Sequence, residues 1–184
     1  MNEFELKIID VNPNEVRTQL KKLGAKHMAN LHYKRLVFPL KAKKGTAKWF
    51  RLRTDDKKHT LTLKINNGKA ISSTKEYEVM IDDFREAARL LCAAFQERYY
   101  EENSRELYSL DKAEITIDKA PFIPHYVEIE AKNEKEVNRV YGKLKIGGKR
   151  FGNVPTSVVY KHYGLDAFEV AKRNESKLKK LIGK

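Results

Sequence analysis

Apolar and polar residues alternate one by one at the start of the chain, where Phe4, Leu6 and Ile8 stand between Glu3, Glu5 and Lys7. Successive side chains of a β-strand point to opposite faces, so this spacing predicts a strand with one oily and one ionic face. The pattern recurs. Phe50-Arg51-Leu52-Arg53 puts two arginines on one face, and Leu61-Thr62-Leu63-Lys64-Ile65 sets Thr62 and Lys64 opposite three aliphatics. Glu76-Tyr77-Glu78-Val79 and Val127-Glu128-Ile129-Glu130 repeat the Glu-x-Glu spacing, and Arg105-Glu106-Leu107-Tyr108 opens another strand on a basic residue. Strands are predicted over 32–40, 48–54, 60–66, 73–81, 104–110, 114–118 and 126–131. Asp55-Asp56-Lys57-Lys58 reads as a polar turn and Asn67-Gly68 as a hairpin signal.

Helical spacing interrupts these strands. Asn12 is placed to cap a helix with Pro13 at its first position, and Val16, Leu20 and Leu23 form one face before Gly24 ends it. Asp82 or Asp83 is expected to cap a long helix reaching about residue 99, with Phe84, Ala87, Ala88, Leu91 and Phe95 as its stripe. Asn133 caps another, to about residue 141, and the remainder is mostly helical with a break at Gly164. The expectation is an α+β protein: one domain over residues 1–184 with a helical segment from about 133.

An ordinary half-solvated sheet turns a mixed polar face outward. Here that face carries glutamate pairs on three strands and arginine or lysine on three others. A closed antiparallel barrel with the ionic face inward, its oily outer face covered by the amphipathic helices, accounts for the pattern and leaves no free sheet edge. Such a lining needs an occupant, since like charges about 4 Å apart repel by about 4 kcal/mol at an effective dielectric near 20. Inward carboxylates call for cations, and an all-oxygen set favours Mg²⁺ or Mn²⁺. Inward arginines and lysines call for an anion. A metal-bound polyphosphate answers both.

Charge sharpens this picture only in part. The net charge of +13 attracts polyanions without choosing among nucleic acid, acidic membrane and small phosphates. The five histidines lack zinc-site spacing. Cys92 is alone, so a reducing compartment, the cytoplasm, is expected. No stretch suits a signal peptide or a membrane span.

Glu3-Phe4-Glu5-Leu6-Lys7 resembles the ExExK signature of the CYTH, or triphosphate tunnel metalloenzyme, superfamily. Arg51 and Arg53, Lys64, Glu76 and Glu78, Arg105, Asp118, and Glu128 and Glu130 follow in that family's order. The resemblance spans about residues 1 to 131. It implies a closed eight-stranded antiparallel tunnel, with Glu3, Glu5, Glu128 and Glu130, joined by Asp118 or Glu78, holding Mg²⁺ or Mn²⁺. Lys7, Arg51, Arg53, Lys64 and Arg105 would bind the triphosphate, and Lys7, Arg53 and Glu5 would act in catalysis. Two departures stand out: Asn103 occupies a position that is basic in many members, and His32-Tyr33-Lys34-Arg35 only loosely matches the family's tyrosine-rich segment.

The implied activity is metal-dependent hydrolysis of inorganic, thiamine or nucleoside triphosphate. The alternatives are a class IV adenylyl cyclase and a non-catalytic polyphosphate- or RNA-binding module. A small triphosphate is the expected partner, no membrane is expected, and the resemblance leaves a homodimer open. Tyr160 and Tyr163 are read as packing residues of the tail.

Overall fold

A computed structural model of the chain describes residues 2–66 and 74–183, with only the backbone at residues 2 and 3. The Asn67-Gly68 signal and residue 73 lie outside the described residues. The elements run β1 (Asn2–Ile9), α1 (Pro13–Lys22), β2 (Lys26–Leu40), β3 (Ala47–Thr54), β4 (His59–Asn66), β5 (Thr74–Met80), α2 (Phe84–Ala94), β6 (Tyr99–Leu110), β7 (Ala113–Lys119) and β8 (Tyr126–Ala131). They continue as α3 (Glu134–Leu144), β9 (Lys149–Gly152), α4 (Thr156–His162), α5 (Ala167–Lys172) and α6 (Glu175–Ile182). All the strands join one antiparallel sheet, in the order β5-β4-β3-β2-β6-β7-β8-β1-β9.

The sheet curls until its ends meet, but the closed eight-stranded ring needs correction. Nine strands are present among the described residues, and among those residues β5 meets β1 at Asn2↔Lys75 and Glu3↔Thr74. The same edge of β1, at Lys7 to Ile9, pairs with β9, a strand the sequence pattern did not show. The result is a half-barrel latched at one end. Gly148 makes the β9 pairing feasible. Its φ of +111° suits glycine alone, and an added Cβ would lie 2.6 Å from the Ile9 carbonyl oxygen and 2.9 Å from Val11.

The outward faces are oily, as alternation demands. Leu6, Ile8, Ile115, Ile117, Val127 and Ile129 pack beneath Val16 and Leu20 of α1 and Val137, Val140 and Leu144 of α3. Leu36, Phe38 and Leu52 pack beneath Phe84, Ala88 and Leu91 of α2 and Leu178 and Ile182 of α6. Each fully buried aliphatic side chain contributes about 1.5–3 kcal/mol. The caps behave as expected: Asn12, Asp83 and Asn133 accept hydrogen bonds from backbone N–H groups in the first turns of their helices.

Two boundaries differ from expectation. Helix α2 stops at Ala94, and Phe95 turns extended to pack against Phe38 and Phe50, at ring-centroid distances of 5.6 and 6.1 Å. Strand β6 therefore starts at Tyr99 rather than 104, and β2 starts at Lys26 rather than 32. Their long pairing, Lys26↔Ser109 to Val37↔Tyr99, forms the wall opposite the latch. No described helix is long and apolar enough to cross a membrane.

Candidate active site

The concave face encloses a cavity of about 950 Å³. Glu5 and Lys7 of β1, Arg51 and Arg53 of β3, and Lys64 of β4 line it. So do Glu78 of β5, Arg105 of β6, and Glu128 and Glu130 of β8. The side chain of Glu3 lies outside the described residues, although its backbone forms the latch. Asp118 stands just behind the lining, fully buried.

Register explains the convergence. Glu5 lies opposite Glu130, and Lys7 opposite Glu128, across β1 and β8. Arg105 lies opposite Asp118 across β6 and β7. The buried Lys7 ammonium donates to Glu5 and lies 2.9 Å from Glu128 Oε1. Burial alone would pull this lysine down, but Glu128 and Glu5 more than reverse that, and its pKa rises above the ordinary lysine value. Burial would raise Glu128, yet Lys7 and Arg105 overcome it and hold that carboxyl well below the usual range.

Arg105 donates to Asp118 Oδ1 at 2.8 Å and to Glu128 Oε2 at 2.6 Å. Asp118 accepts two further hydrogen bonds, from Asn103 at Oδ1 (3.1 Å) and from Thr116 at Oδ2 (2.6 Å). Asn103 thus supports the carboxylate that orients Arg105. Across the cavity, Lys64 pairs with Glu76, and Arg51 lies 3.8 Å from Glu76 and 3.7 Å from Glu78. Thr62 donates to Glu78 at 2.7 Å.

Several lining residues escaped the sequence pattern. The Tyr33 ring carries three guanidinium groups, Arg53 at 4.7 Å, Arg35 at 5.2 Å and Arg105 at 6.0 Å from its centroid. Burial and the neighbouring Arg51 pull Arg53 down to about 10, partly countered by Tyr33, so it stays charged at neutral pH. Glu101 lies 3.7 Å from Arg35. Glu114 sits opposite Glu130 on β7, on the far side from Glu5. Trp49, beside Lys64 in register, also lines the cavity. Period two would have revealed Arg35, since Leu31, Tyr33, Arg35 and Val37 share a face. Glu101 fell in the gap between the expected end of α2 near 99 and a strand expected only from 104. Tyr160, read as a packing residue, packs and lines the cavity as well, whereas Tyr163 donates to Asp10 at 2.6 Å.

The donors suit a hard cation by type. Glu5, Glu130 and Glu114 form a row of carboxylates across β1, β8 and β7. In this structure Lys7 occupies Glu5 and Glu128, and among the described residues no three carboxylate, imidazole or thiolate groups close around one point.

The family model of the CYTH domain matches residues 1–146. No curated protein matches the chain. Solved structures similar to it include the PH1012 protein of Pyrococcus horikoshii OT3, at 21% identity and TM-score 0.65, covering 80% of this chain and 95% of that one. An adenylate cyclase candidate from Vibrio parahaemolyticus shares 12% identity and a TM-score of 0.65, over 86% of this chain and 98% of the other. HpAC1 of Hippeastrum, an adenylyl cyclase candidate with a dominant triphosphatase activity, shares 16% identity and a TM-score of 0.58, over 90% and 97%. At these identities the likeness is one of fold.

Proposed function

Because the chain belongs to the CYTH domain family, we propose that it is a divalent-metal-dependent hydrolase of triphosphates. The observation that carries this reading is the crowding of Arg35, Arg53 and Arg105 around Tyr33 in the cavity that also holds Lys7. Carboxylates offset Lys7, Arg35 and Arg105, but Arg53, 3.9 Å from Glu78, is also pressed by Arg51, Arg35 and Arg105, and an anion of high charge among these groups relieves that repulsion. Arginine meets phosphate oxygens with paired donors, while lysine acts as a point charge.

Glu5, Glu128 and Glu130 would hold Mg²⁺ or Mn²⁺, which when bound supplies charge neutralisation at the phosphoryl oxygens. With Glu5 and Glu128 engaged by a cation, the Lys7 ammonium would be available to the phosphate chain. Arg105, fixed by Asp118, keeps its direction without help from substrate. Arg51, Arg53 and Lys64 grip the chain from the opposite wall, with Glu76 and Glu78 setting their positions. Phosphoryl transfer requires chiefly this positioning and charge balance.

The test incubates the protein with Mg²⁺ or Mn²⁺ and either tripolyphosphate or ATP and resolves the products. Release of orthophosphate or pyrophosphate without cyclisation is expected. Cyclic AMP as the main product from ATP would replace hydrolase with cyclase. Lys7→Ala is expected to lower turnover by about 10²–10³-fold, as for loss of a transition-state donor.

A further inference from the structure

Two arginines face each other on the inner wall. Arg35 of β2 stands directly opposite Arg53 of β3, and both line the cavity. Like charges directly opposite one another destabilise a sheet. The Tyr33 ring lies against both guanidinium groups, 5.2 and 4.7 Å from its centroid, and gathers them on one side of the wall. Across β2 and β6, Arg35 stands directly opposite Glu101, which also lines the cavity.

Glu101 answers Arg35 only loosely. Its Oε1 is 3.7 Å from Arg35 Nη1, beyond hydrogen-bond distance. Among the described residues the Arg35 guanidinium donates no hydrogen bond, although the side chain is only 8% exposed. Its Nε is enclosed, and the two Nη groups are left open to the cavity. Arg105, against the same ring, donates to Asp118 and to Glu128 and is fixed in advance. Arg35 instead presents a fork of donors without an acceptor. A fork so buried favours an anion that reaches it.

We propose, resting on the triphosphatase reading above, that Arg35 binds a phosphoryl group of the substrate jointly with Arg53, and that Glu101 is the resident anion with which this group competes. Arg35 is then a substrate-binding residue outside the set the sequence pattern supplied. Glu101 is a positioning residue that acts through it and sets the affinity. A phosphoryl group between the two guanidinium groups turns their mutual repulsion into a shared attraction.

The test uses tripolyphosphate and ATP with the full chain, Arg35→Gln and Glu101→Gln. Titration calorimetry without added metal gives Kd, and assays with Mg²⁺ give KM and kcat. Arg35→Gln is expected to weaken binding and raise KM by about ten- to a hundredfold, the worth of a charge-assisted hydrogen bond, with kcat changed less. Glu101→Gln is expected to tighten binding by about twofold or more, since it removes a competing anion. These opposite signs set the proposal apart from a purely structural ion pair, which the loss of either partner would harm alike. An unchanged Kd in either variant, or weaker binding in Glu101→Gln, overturns this assignment and leaves the triphosphatase reading intact so long as the full chain hydrolyses either compound. A full chain that neither binds nor hydrolyses them overturns both. Should Arg35→Gln fail to fold, Arg35→Lys keeps the charge without the paired donors and should still weaken binding severalfold.

Discussion

Lys7 and Glu128 show how a single side chain sets the behaviour of the site. Glu128 is held below the ordinary carboxylate range, so it contributes stability that is fully present above its unfolded value of 4.5 and is lost as pH falls toward the folded value. The midpoint of thermal unfolding of the native chain should fall more steeply between about pH 5 and about pH 3 than that of Glu128→Gln. Parallel slopes in the two melting series would count against the pairing. Tyr160 gives the opposite signature. Its hydroxyl is buried without a partner and burial raises its pKa, with Glu101 adding to the effect. Tyr160→Phe removes an unsatisfied group worth about 1–3 kcal/mol, so calorimetry of the unliganded protein should show a higher Tm. At this scale the sequence was legible wherever charge marked a period-two face, as at Glu5, Lys7, Arg53 and Glu128. It was not legible at Tyr160, where one aromatic serves both a core and a cavity, nor at Asp118, whose partners Arg105, Asn103 and Thr116 depend on register between strands.

Among the elements, β9 extends the sheet beyond the expected ring. It pairs with β1 at Lys7, Ile8 and Ile9, on the edge where β5 meets Asn2 and Glu3. Four residues, Lys149–Gly152, carry no alternation long enough to read as a strand, so only the folded register reveals them. Gly148→Ala is expected to destabilise the chain by about 1–3 kcal/mol, as overpacking does, and denaturant unfolding measures it. An unchanged midpoint would mean that β9 can shift off β1 at little cost. The capped helices α1, α2 and α3 were legible at their starts because Asn12, Asp83 and Asn133 are local signals. The end of α2 was not, because Phe95 continues the helical stripe yet packs against Phe38 and Phe50, residues more than forty positions away.

For the whole molecule, the inward ionic lining and the oily exterior follow from alternation alone, and both are present. The degree of closure does not follow from it. Burial and the neighbouring Arg51, Arg35 and Arg105 all act against the charge on Arg53, so an anion placed beside it is favoured. An anion that binds only the folded form stabilises it by mass action, by about 2.7 kcal/mol at a hundredfold excess over Kd. Tripolyphosphate should therefore raise Tm in melts run at low salt, and the increment should shrink as ionic strength rises. A Tm indifferent to tripolyphosphate would remove the cavity as a polyanion site.

Trp49 is the only tryptophan in the chain, and it stands in the cavity wall beside Lys64. The protein thus carries its own optical gauge. Indole emission comes from one side chain at the place where a guest would sit, so its colour and brightness report filling and emptying without any attached label.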